Sequence, residues 1–330
     1  MRAACFLFGS MSPCRVSEPA LGPQVTWRTP GRPARNAAYG KRIAMSALSS
    51  TPEGSPIDPK LAGLRARLRE LGSVLVCYSG GVDSAFVLAV AHQEIGPRAV
   101  GMTAVSPSLA PAEKEEATSI ARLIGADHRL VESSEIDDPR YVANNPDRCF
   151  HCKSELYRIA ARKRSEWALA AIVNGTNTDD LGDYRPGLEA AREAGVLSPL
   201  VELGFSKADV RAGAARVGLP IWDKPAAACL SSRIPYGTSV TRERLAQIGG
   251  FEAALRGLGF RQVRVRYHDD LARIELDAGE LARAAEPPVR AEIVAAGKRH
   301  GFRYVTLDLG GYRTGSHNEV LVGRALKIVS

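Results

Sequence analysis

Residues 79–84 read Ser-Gly-Gly-Val-Asp-Ser, and this stretch decides the fold of the first half of the chain. It follows the apolar run 74–78 and precedes a helix-like stretch at 85–94. In a strand, turn and helix in this order, the helix N-terminus offers unpaired N–H groups and the positive end of its dipole to the loop. The two glycines of the loop allow an anion to approach the backbone closely. The pattern predicts a phosphate-binding loop and favours it over an ordinary turn.

The loop differs from two other nucleotide-binding loops. It lacks both the Gly-x-x-x-x-Gly-Lys-Ser/Thr of P-loop NTPases and the Gly-x-Gly-x-x-Gly of dinucleotide folds, so no lysine is placed to follow a γ-phosphate. It resembles the pyrophosphate loop (PP-loop) of ATP pyrophosphatases, which cleave ATP to AMP and pyrophosphate while they adenylate a substrate. The residues that we expect to hold ATP through backbone N–H groups and hydroxyls are Ser79, Gly80, Gly81, Asp83 and Ser84.

The spacing of apolar residues after residue 60 predicts alternating helices and strands. We expect strands at 98–105, 128–131 and 171–174, and helices at 112–124 and 153–167. Such alternation indicates a parallel sheet with right-handed crossovers, in which ligands gather at the carboxyl ends of the strands. The predicted fold class is therefore α/β, a doubly wound parallel sheet. The resemblance of the loop to that of ATP pyrophosphatases implies the adenine nucleotide alpha hydrolase-like, PP-loop type.

After Ile221 the pattern changes to a helix, two strands, two helices and a last strand, which indicates a smaller C-terminal α+β domain. The Pro-rich passage 220–235 marks the boundary. We therefore predict an ATP-binding domain at 59–220 and a second, smaller domain at 221–330.

A leader at 1–58 precedes both domains. Residues 1–44 hold seven Lys or Arg and one acid, so most of the net charge of +8 lies there. With five prolines and no periodic pattern, the leader is predicted to be disordered or mis-annotated, with Met45 as the true start. An organelle transit peptide is the less favoured alternative, because a sustained amphipathic helix is missing.

Charge and hydropathy also bear on the partners. The rest of the chain is nearly balanced in charge, which speaks against nucleic-acid binding. No apolar stretch reaches the roughly 20 residues that span a bilayer. We therefore expect a cytoplasmic protein that binds neither membranes nor nucleic acids.

Three carboxylates follow the strand at 171–174, namely Asp179, Asp180 and Asp183. Carboxylates this close repel one another unless they are solvated or bridged by a cation. An acidic surface turn is one interpretation, but the strand end favours Mg²⁺ that escorts ATP. Asp180 is the candidate residue for this role.

Three cysteines form the next signal. Cys149 and Cys152 stand in Cys-Phe-His-Cys, and Cys229 lies in Ala-Cys-Leu-Ser-Ser-Arg. A Cys-x-x-Cys pair occurs in redox dithiols, zinc sites and iron–sulfur sites. Three basic neighbours would stabilise thiolates, namely Arg148, Lys153 and Arg233.

Together these motifs resemble the LarE family, ATP-dependent sulfur transferases of nickel-pincer nucleotide cofactor biosynthesis. Besides the loop, the resemblance rests on three motifs. The first is Pro-Asp-Arg-Cys-Phe-His-Cys-Lys at 146–153, and the second is Asp179-Asp180 followed by Asp-Tyr-Arg-Pro-Gly at 183–187. The third is the stretch 222–237, which begins with Trp-Asp-Lys-Pro and ends with Ile-Pro-Tyr-Gly. The resemblance extends from about Leu61 to near the C-terminus, and it implies that 221–330 is the substrate and sulfur-transfer domain.

The resemblance implies that each carboxylate of pyridinium-3,5-biscarboxylic acid mononucleotide is adenylated and then converted to a thiocarboxylate. In members that carry only the cysteine matching Cys229, that cysteine gives up its sulfur and becomes dehydroalanine. The additional Cys149 and Cys152 resemble the three-cysteine branch, in which the thiolates hold a [4Fe–4S] cluster. An iron without a protein thiolate would then bind extra sulfide, and the protein would be reusable.

The remaining site residues also follow from the resemblance. It implies a catalytic role for Arg233 beside Cys229, and a salt bridge is the alternative. It also implies metal binding by Glu252, which aligns loosely with an acidic residue of the family. Arg264 and Arg266 lie two apart on a predicted strand and share a face, so they suit the substrate's phosphate or carboxylates. Solvated arginines on an edge strand are the alternative.

The expected partners are a small-molecule nucleotide substrate, sulfide or a sulfur-donor protein, and further copies of the chain in a homo-oligomer. Two rival functions remain. A PP-loop tRNA thiolation enzyme would need a basic face or an RNA-binding module. A non-catalytic protein would use the three cysteines as a structural metal site, with zinc as the metal.

Overall fold

The computed structural model describes residues 56–182, 186–225 and 228–313. The predicted leader lies outside these ranges except for its last three residues, and so does Asp183. The helices of the described part are α1 (Ile57–Leu71), α2 (Val82–Ile95), α3 (Pro111–Ile124), α4 (Pro139–Val142), α5 (Arg148–Glu166), α6 (Pro186–Glu193), α7 (Pro199–Glu202), α8 (Lys207–Arg216), α9 (Arg242–Gly257), α10 (Leu281–Ala285) and α11 (Pro287–Arg299). The strands are β1 (Val74–Cys77), β2 (Ala99–Val105), β3 (Asp127–Glu132), β4 (Ala171–Val173), β5 (Val263–His268), β6 (Leu271–Leu276) and β7 (Tyr304–Leu307).

The first four strands form one parallel sheet in the order β3-β2-β1-β4. Val74 of β1 pairs with Ala99 of β2 on one side and with Ala171 of β4 on the other. The strand order reverses between β1 and β4, and ligands in open α/β sheets bind in the crevice outside the strand ends at such a reversal. The predicted α/β class with a parallel sheet is confirmed.

Helix α2 is the centre of the core around this sheet. Its sequence is apolar on nearly every side, and ten of its 14 residues are buried, including Phe86 and Leu88. Helix α1 packs its apolar face, which contains Leu61, Leu64 and Leu68, into the same core. Burial of α2 on all sides fixes its N-terminus, and therefore the loop before it, relative to the sheet.

A second sheet has the order β5-β6-β7, with β5 antiparallel to β6 and β6 parallel to β7. Its core includes Phe251 of α9 and Phe302, and it also takes in Tyr141 of α4 from the first half of the chain. The predicted smaller α+β part is confirmed, while the boundary at residue 220 stays a prediction. Within the described ranges, no helix is long and apolar enough to cross a membrane.

Candidate active site

The loop at 79–84, which the sequence predicts to bind phosphate, lies at the end of β1. Gly80 has φ +76°, and a Cβ atom there would lie 2.7 Å from the Cβ atom of Ala117, so only glycine fits. The Ser84 hydroxyl accepts a hydrogen bond from the Ser79 N–H at 3.1 Å and lies 3.1 Å from the Ser79 hydroxyl. These contacts hold the loop in one shape over the N-terminus of α2.

The loop after β4 packs directly against this helix N-terminus. A Cβ atom on Gly175 would lie 2.6 Å from the backbone nitrogen of Ser84, so the two backbones meet at closest approach. The Asn177 amide donates to Asp83 Oδ1 at 3.2 Å. The two strand ends that the sequence singled out therefore form one site.

Lys207 belongs to this site, although its local sequence gave no signal. Its ammonium group donates to both carboxylate oxygens of Asp83, at 2.7 and 2.5 Å, and its backbone N–H donates to Asp179 Oδ2 at 3.2 Å. It is the first residue of α8, which is capped by Ser206 and Asp209. A contact across 124 residues depends on the tertiary fold and has no local pattern.

Asp180 lies in a 3₁₀ turn at Thr178–Gly182, directly after the strand end. Its Oδ2 atom accepts the N–H of Asn177 at 3.0 Å, which shapes the turn. Among the described residues no three His, Cys, Asp or Glu side chains are grouped to hold a metal ion. Magnesium binding by Asp180 stays a prediction.

Helix α5 begins five residues earlier than predicted, at Arg148 instead of Lys153. Cys149 and Cys152 therefore lie in the helix itself, about one turn apart at its N-terminus. Cys149 and Cys229 are exposed, and all three thiols are free. Burial raises the pKa of Cys152 to about 12. The charge of Lys153 lowers this pKa, and the charges of Cys229 and Cys149 raise it further. The three cysteines are therefore close enough for their charges to interact, but in the described part of the chain their thiols do not form a group that could hold a metal ion.

Buried hydrogen bonds tie the segment of Cys229 to α5. The Arg148 guanidinium donates to Ser231 O at 2.9 Å and to Asn144 Oδ1 at 2.5 Å. The Asn144 amide donates to the backbone oxygen of Pro235 at 2.8 Å, and the hydroxyls of Tyr141 and Ser231 lie 2.5 Å apart. Sequence reasoning noted Arg148 only as a thiolate neighbour and did not find Tyr141 or Asn144.

Arg233 is buried and forms an ion pair with Glu252, and both side chains are 0% exposed. Its guanidinium also donates to the backbone oxygens of Ala228 and Cys229, at 2.6 and 2.9 Å. These contacts favour the salt-bridge interpretation of Arg233. It shapes the backbone at Cys229, and a catalytic role stays a prediction that the contacts do not support.

Glu252 is occupied by cations and a backbone donor. Its two oxygens accept hydrogen bonds from Arg233, Arg256 and the N–H of Val265 at 2.8 to 3.2 Å. Burial by itself would raise the pKa of this carboxyl, but Arg233, Arg256 and the Val265 N–H bring it below its ordinary value. The contacts favour a structural role, and metal ligation by Glu252 stays an unsupported prediction.

Arg264 and Arg266 lie on β5, as predicted, but their surroundings differ. Arg266 pairs with Glu275 through two bonds of 2.9 Å and donates to the backbone oxygen of Ser232. Arg264 donates to the backbone oxygen of Val263 and lies 5.2 Å from the ring centre of Tyr312. Among the described residues Arg264 forms no ion pair, and burial together with the charge of Arg233 lowers its pKa. A buried arginine without a paired carboxylate favours an anionic ligand.

Arg264 lines a cleft of about 510 Å³, which we call the basic cleft. This volume lies in the range of small-molecule sites. Burial raises the pKa of Glu113, one of the acidic groups in the lining. The cleft contains both signs of charge, and its charged lining residues are Glu113, Glu116, Lys224, Arg256, Arg261, Arg264 and Asp277.

No protein-family model matches the chain. An uncharacterized protein of Synechocystis is 47% identical over 265 residues, which cover 80% of this chain and 99% of that protein. An uncharacterized protein of Methanocaldococcus jannaschii is 28% identical over 258 residues, 77% of this chain and 98% of that protein. The pyridinium-3,5-bisthiocarboxylic acid mononucleotide synthase of Lactiplantibacillus plantarum is 40% identical over 269 residues, 79% of this chain and 95% of the synthase. Since the similarity spans nearly the whole synthase, the chain belongs to the LarE family.

Proposed function

We propose that this chain is an ATP-dependent sulfur transferase that converts the carboxylates of pyridinium-3,5-biscarboxylic acid mononucleotide to thiocarboxylates in nickel-pincer cofactor synthesis. The observation that carries the proposal is the 40% identity, over 95% of its length, to a synthase named for the bisthiocarboxylic acid product. The arrangement of the site supports it, because a phosphate loop, a basic cleft and three cysteines belong to one connected region.

The loop is assigned to ATP. Backbone N–H groups in the first turn of α2 have no partner within the helix. They can bind an anion at its positive end. Ser79 and Ser84 add hydroxyls, and Gly80 and Gly81 allow close approach of phosphate. Mg²⁺ that escorts ATP suits the carboxylates of Asp83 and Asp179, hard oxygen donors that both contact Lys207. Asp180 supports the same turn through Asn177.

The basic cleft is assigned to the nucleotide substrate. A pyridinium mononucleotide carries a cationic ring together with carboxylates and a phosphate, so it matches a cleft with both signs of charge. Arg264 is the arginine best placed to pair with an anionic group of the substrate, because its guanidinium has no ion pair among the described residues. Arg266 acts indirectly, since it pairs with Glu275 and holds Ser232 O.

Sulfur delivery is assigned to the three cysteines. Cys149 and Cys152 offer thiols one turn apart, and Arg148 ties the segment of Cys229 to the same helix. This soft donor set fits a [4Fe–4S] cluster held by three thiolates. When bound, such a cluster supplies an iron without a protein thiolate at which external sulfide is held. The alternative is sacrificial use of the Cys229 sulfur. Sulfide or a sulfur-donor protein, a homo-oligomer and a cytoplasmic location belong to the same proposal.

The test combines turnover with intact-mass analysis. Anaerobically prepared protein is incubated with ATP, Mg²⁺, sulfide and the biscarboxylic acid mononucleotide, and pyrophosphate and thiocarboxylate are measured. We expect both products, repeated turnover and an unchanged mass at Cys229. Loss of one H₂S from Cys229 with no further turnover would show the sacrificial route. Absence of substrate-dependent pyrophosphate would refute the function.

The cluster is tested by absorption. Anaerobic protein should absorb broadly near about 400 nm, as iron–sulfur proteins do, and Cys149→Ala, Cys152→Ala or Cys229→Ala should each remove the band. Colourless protein with stoichiometric zinc would contradict the cluster.

A further inference from the structure

Lys224 contacts both the ATP loop and the basic cleft. Its ammonium group donates to the backbone oxygen of Gly80 at 3.0 Å and lies 3.0 Å from Glu116 Oε2. The same side chain lines the basic cleft and is 18% exposed. Gly80 belongs to the phosphate loop, so Lys224 stands where a nucleotide in the loop and a molecule in the cleft would meet.

The contacts leave Lys224 with capacity for a ligand. A lysine ammonium has three N–H donors. Two of them are accounted for by Gly80 O and Glu116 Oε2 among the described residues. Adenylation brings together two anions, a carboxylate and a triphosphate, and their repulsion opposes the reaction unless a cation lies between them.

We propose that Lys224 is a catalytic residue that contacts the α-phosphate of ATP and the substrate carboxylate during adenylation. This assignment rests on the proposed function. The carboxylate oxygen attacks the α-phosphorus, a new O–P bond forms, and the bond from the α-phosphorus to the bridging oxygen breaks as pyrophosphate leaves with the electron pair. The one remaining N–H of Lys224 donates a hydrogen bond to an α-phosphate oxygen, where negative charge accumulates. The positive charge of the ammonium group offsets that of the nearby substrate carboxylate, and Lys224 keeps its protons.

The alternative is that Lys224 only ties its own segment to the loop. A structural tie would affect ATP binding and thermal stability as much as it affects the reaction. A catalytic contact would act on the joined species, the acyl-adenylate, and much less on ATP alone. The two roles therefore differ in which ligand is bound more weakly when the ammonium group is removed.

The test uses an acyl-adenylate mimic, pyridine-3,5-dicarboxylic acid joined to adenosine through a sulfamate in place of the phosphate. Calorimetry measures the Kd of the mimic and of ATP for the full-length protein, and the Tm is recorded. Lys224→Met should weaken binding of the mimic about 10- to 150-fold, the range of a hydrogen bond to a charged group. ATP should bind within about threefold of wild type. Lys224→Arg, which keeps the charge, should recover part of the loss.

Lys60→Met is the matched control. Lys60 also donates to one backbone oxygen, of Gly204, and pairs with one carboxylate, of Asp209, but it lies outside the site. It should change neither Kd. The proposal is overturned if Lys224→Met binds the mimic normally, if it loses ATP and mimic equally together with Tm, or if wild type does not bind the mimic. Lys224-dependent binding of the mimic without thiocarboxylate formation would refute the proposed function and leave the Lys224 assignment standing.

Discussion

Glu252→Gln tests how the cysteine segment is held. The substitution keeps the shape of the side chain and removes its charge, so Arg233 stays buried without its counter-charge. Both side chains are 0% exposed, and Glu252 also pairs with Arg256 at 3.0 Å. Breaking a buried ion pair from one side costs about 3–5 kcal/mol. For a protein of this size about 1 kcal/mol changes Tm by 2–4 °C, so we expect Tm to fall by about 6–20 °C.

The assay is urea unfolding, followed by circular dichroism, together with a calorimetric scan. Glu166→Gln is the matched control, because Glu166 also contacts two cations, Lys163 at 2.6 Å and Arg162 at 3.6 Å, but its side chain is 44% exposed. Exposed ion pairs contribute little to stability, so the control should match wild type. Equal stability of Glu252→Gln and Glu166→Gln would refute the structural role of the buried pair.

Arg233→Lys separates the two roles considered for Arg233. Lysine keeps the charge but lacks the planar fork that reaches Glu252 and the carbonyl oxygens of Ala228 and Cys229 together. If Arg233 is structural, activity and Tm fall together. If it is catalytic, kcat falls while Tm stays at the wild-type value.

Three further predictions concern other parts of the site. Asp83→Ala should abolish substrate-dependent pyrophosphate release at unchanged Tm, and Lys207→Met, which removes a charge-assisted contact to Asp83, should lower release at least about tenfold. Asp209→Asn should destabilise helix α8 by about 0.3–1 kcal/mol at pH 7 in urea unfolding, because it removes the negative charge of the capping-box residue near the helix N-terminus. Lys60 lowers the pKa of Asp209 from 3.8 to about 2. The stabilisation by the ionised carboxylate is therefore present above pH 3.8 and is lost as the pH falls through about 2. At that pH the wild type and Asp209→Asn should have the same free energy of unfolding. Burial raises the pKa of Cys77 from 9.0 to about 12. At pH 8 its thiolate fraction is therefore about a thousandfold below that of an ordinary thiol. Peptide mapping after treatment with iodoacetamide should find Cys77 unalkylated.

The sequence predicted those parts of the site that depend on local pattern. The loop was predictable because Gly80 must adopt a positive φ and because a strand and a helix flank it. The meeting of this loop with the segment that follows the strand at 171–174 is expected from the rule that ligands gather at the carboxyl ends of parallel strands. Neither inference needed knowledge of distant contacts.

The start of α5 was not predictable in the same way. The first residues of this helix, Arg-Cys-Phe-His-Cys, are mostly weak helix formers, and its N-cap Asp147 makes no side-chain capping bond. The helix extends back to Arg148 because that side chain is buried against Asn144 and Ser231. Tertiary hydrogen bonds outweighed local propensity.

The roles of the charged residues were the least predictable. Arg233 and Glu252 were predicted as site residues from the family resemblance, and charged side chains are mostly exposed in folded proteins. Their mutual burial is a property of the packed core around Phe251 and cannot be seen in a motif. The same holds for the difference between Arg264 and Arg266. Glu275 lies opposite Arg264 in the strand register, but its carboxylate pairs with Arg266.

One short segment connects the two chemical steps that the protein must couple. Lys224 contacts the ATP loop at Gly80, and Cys229 follows five residues later. Five residues span at most about 18 Å even when fully extended, so the Cys229 backbone cannot lie far from the site of adenylation. Arg233 fixes the far end of this segment through the carbonyl oxygen of Cys229. Covalent length therefore keeps the sulfur-bearing residue near the activated carboxylate, whichever of the two sulfur-transfer routes operates.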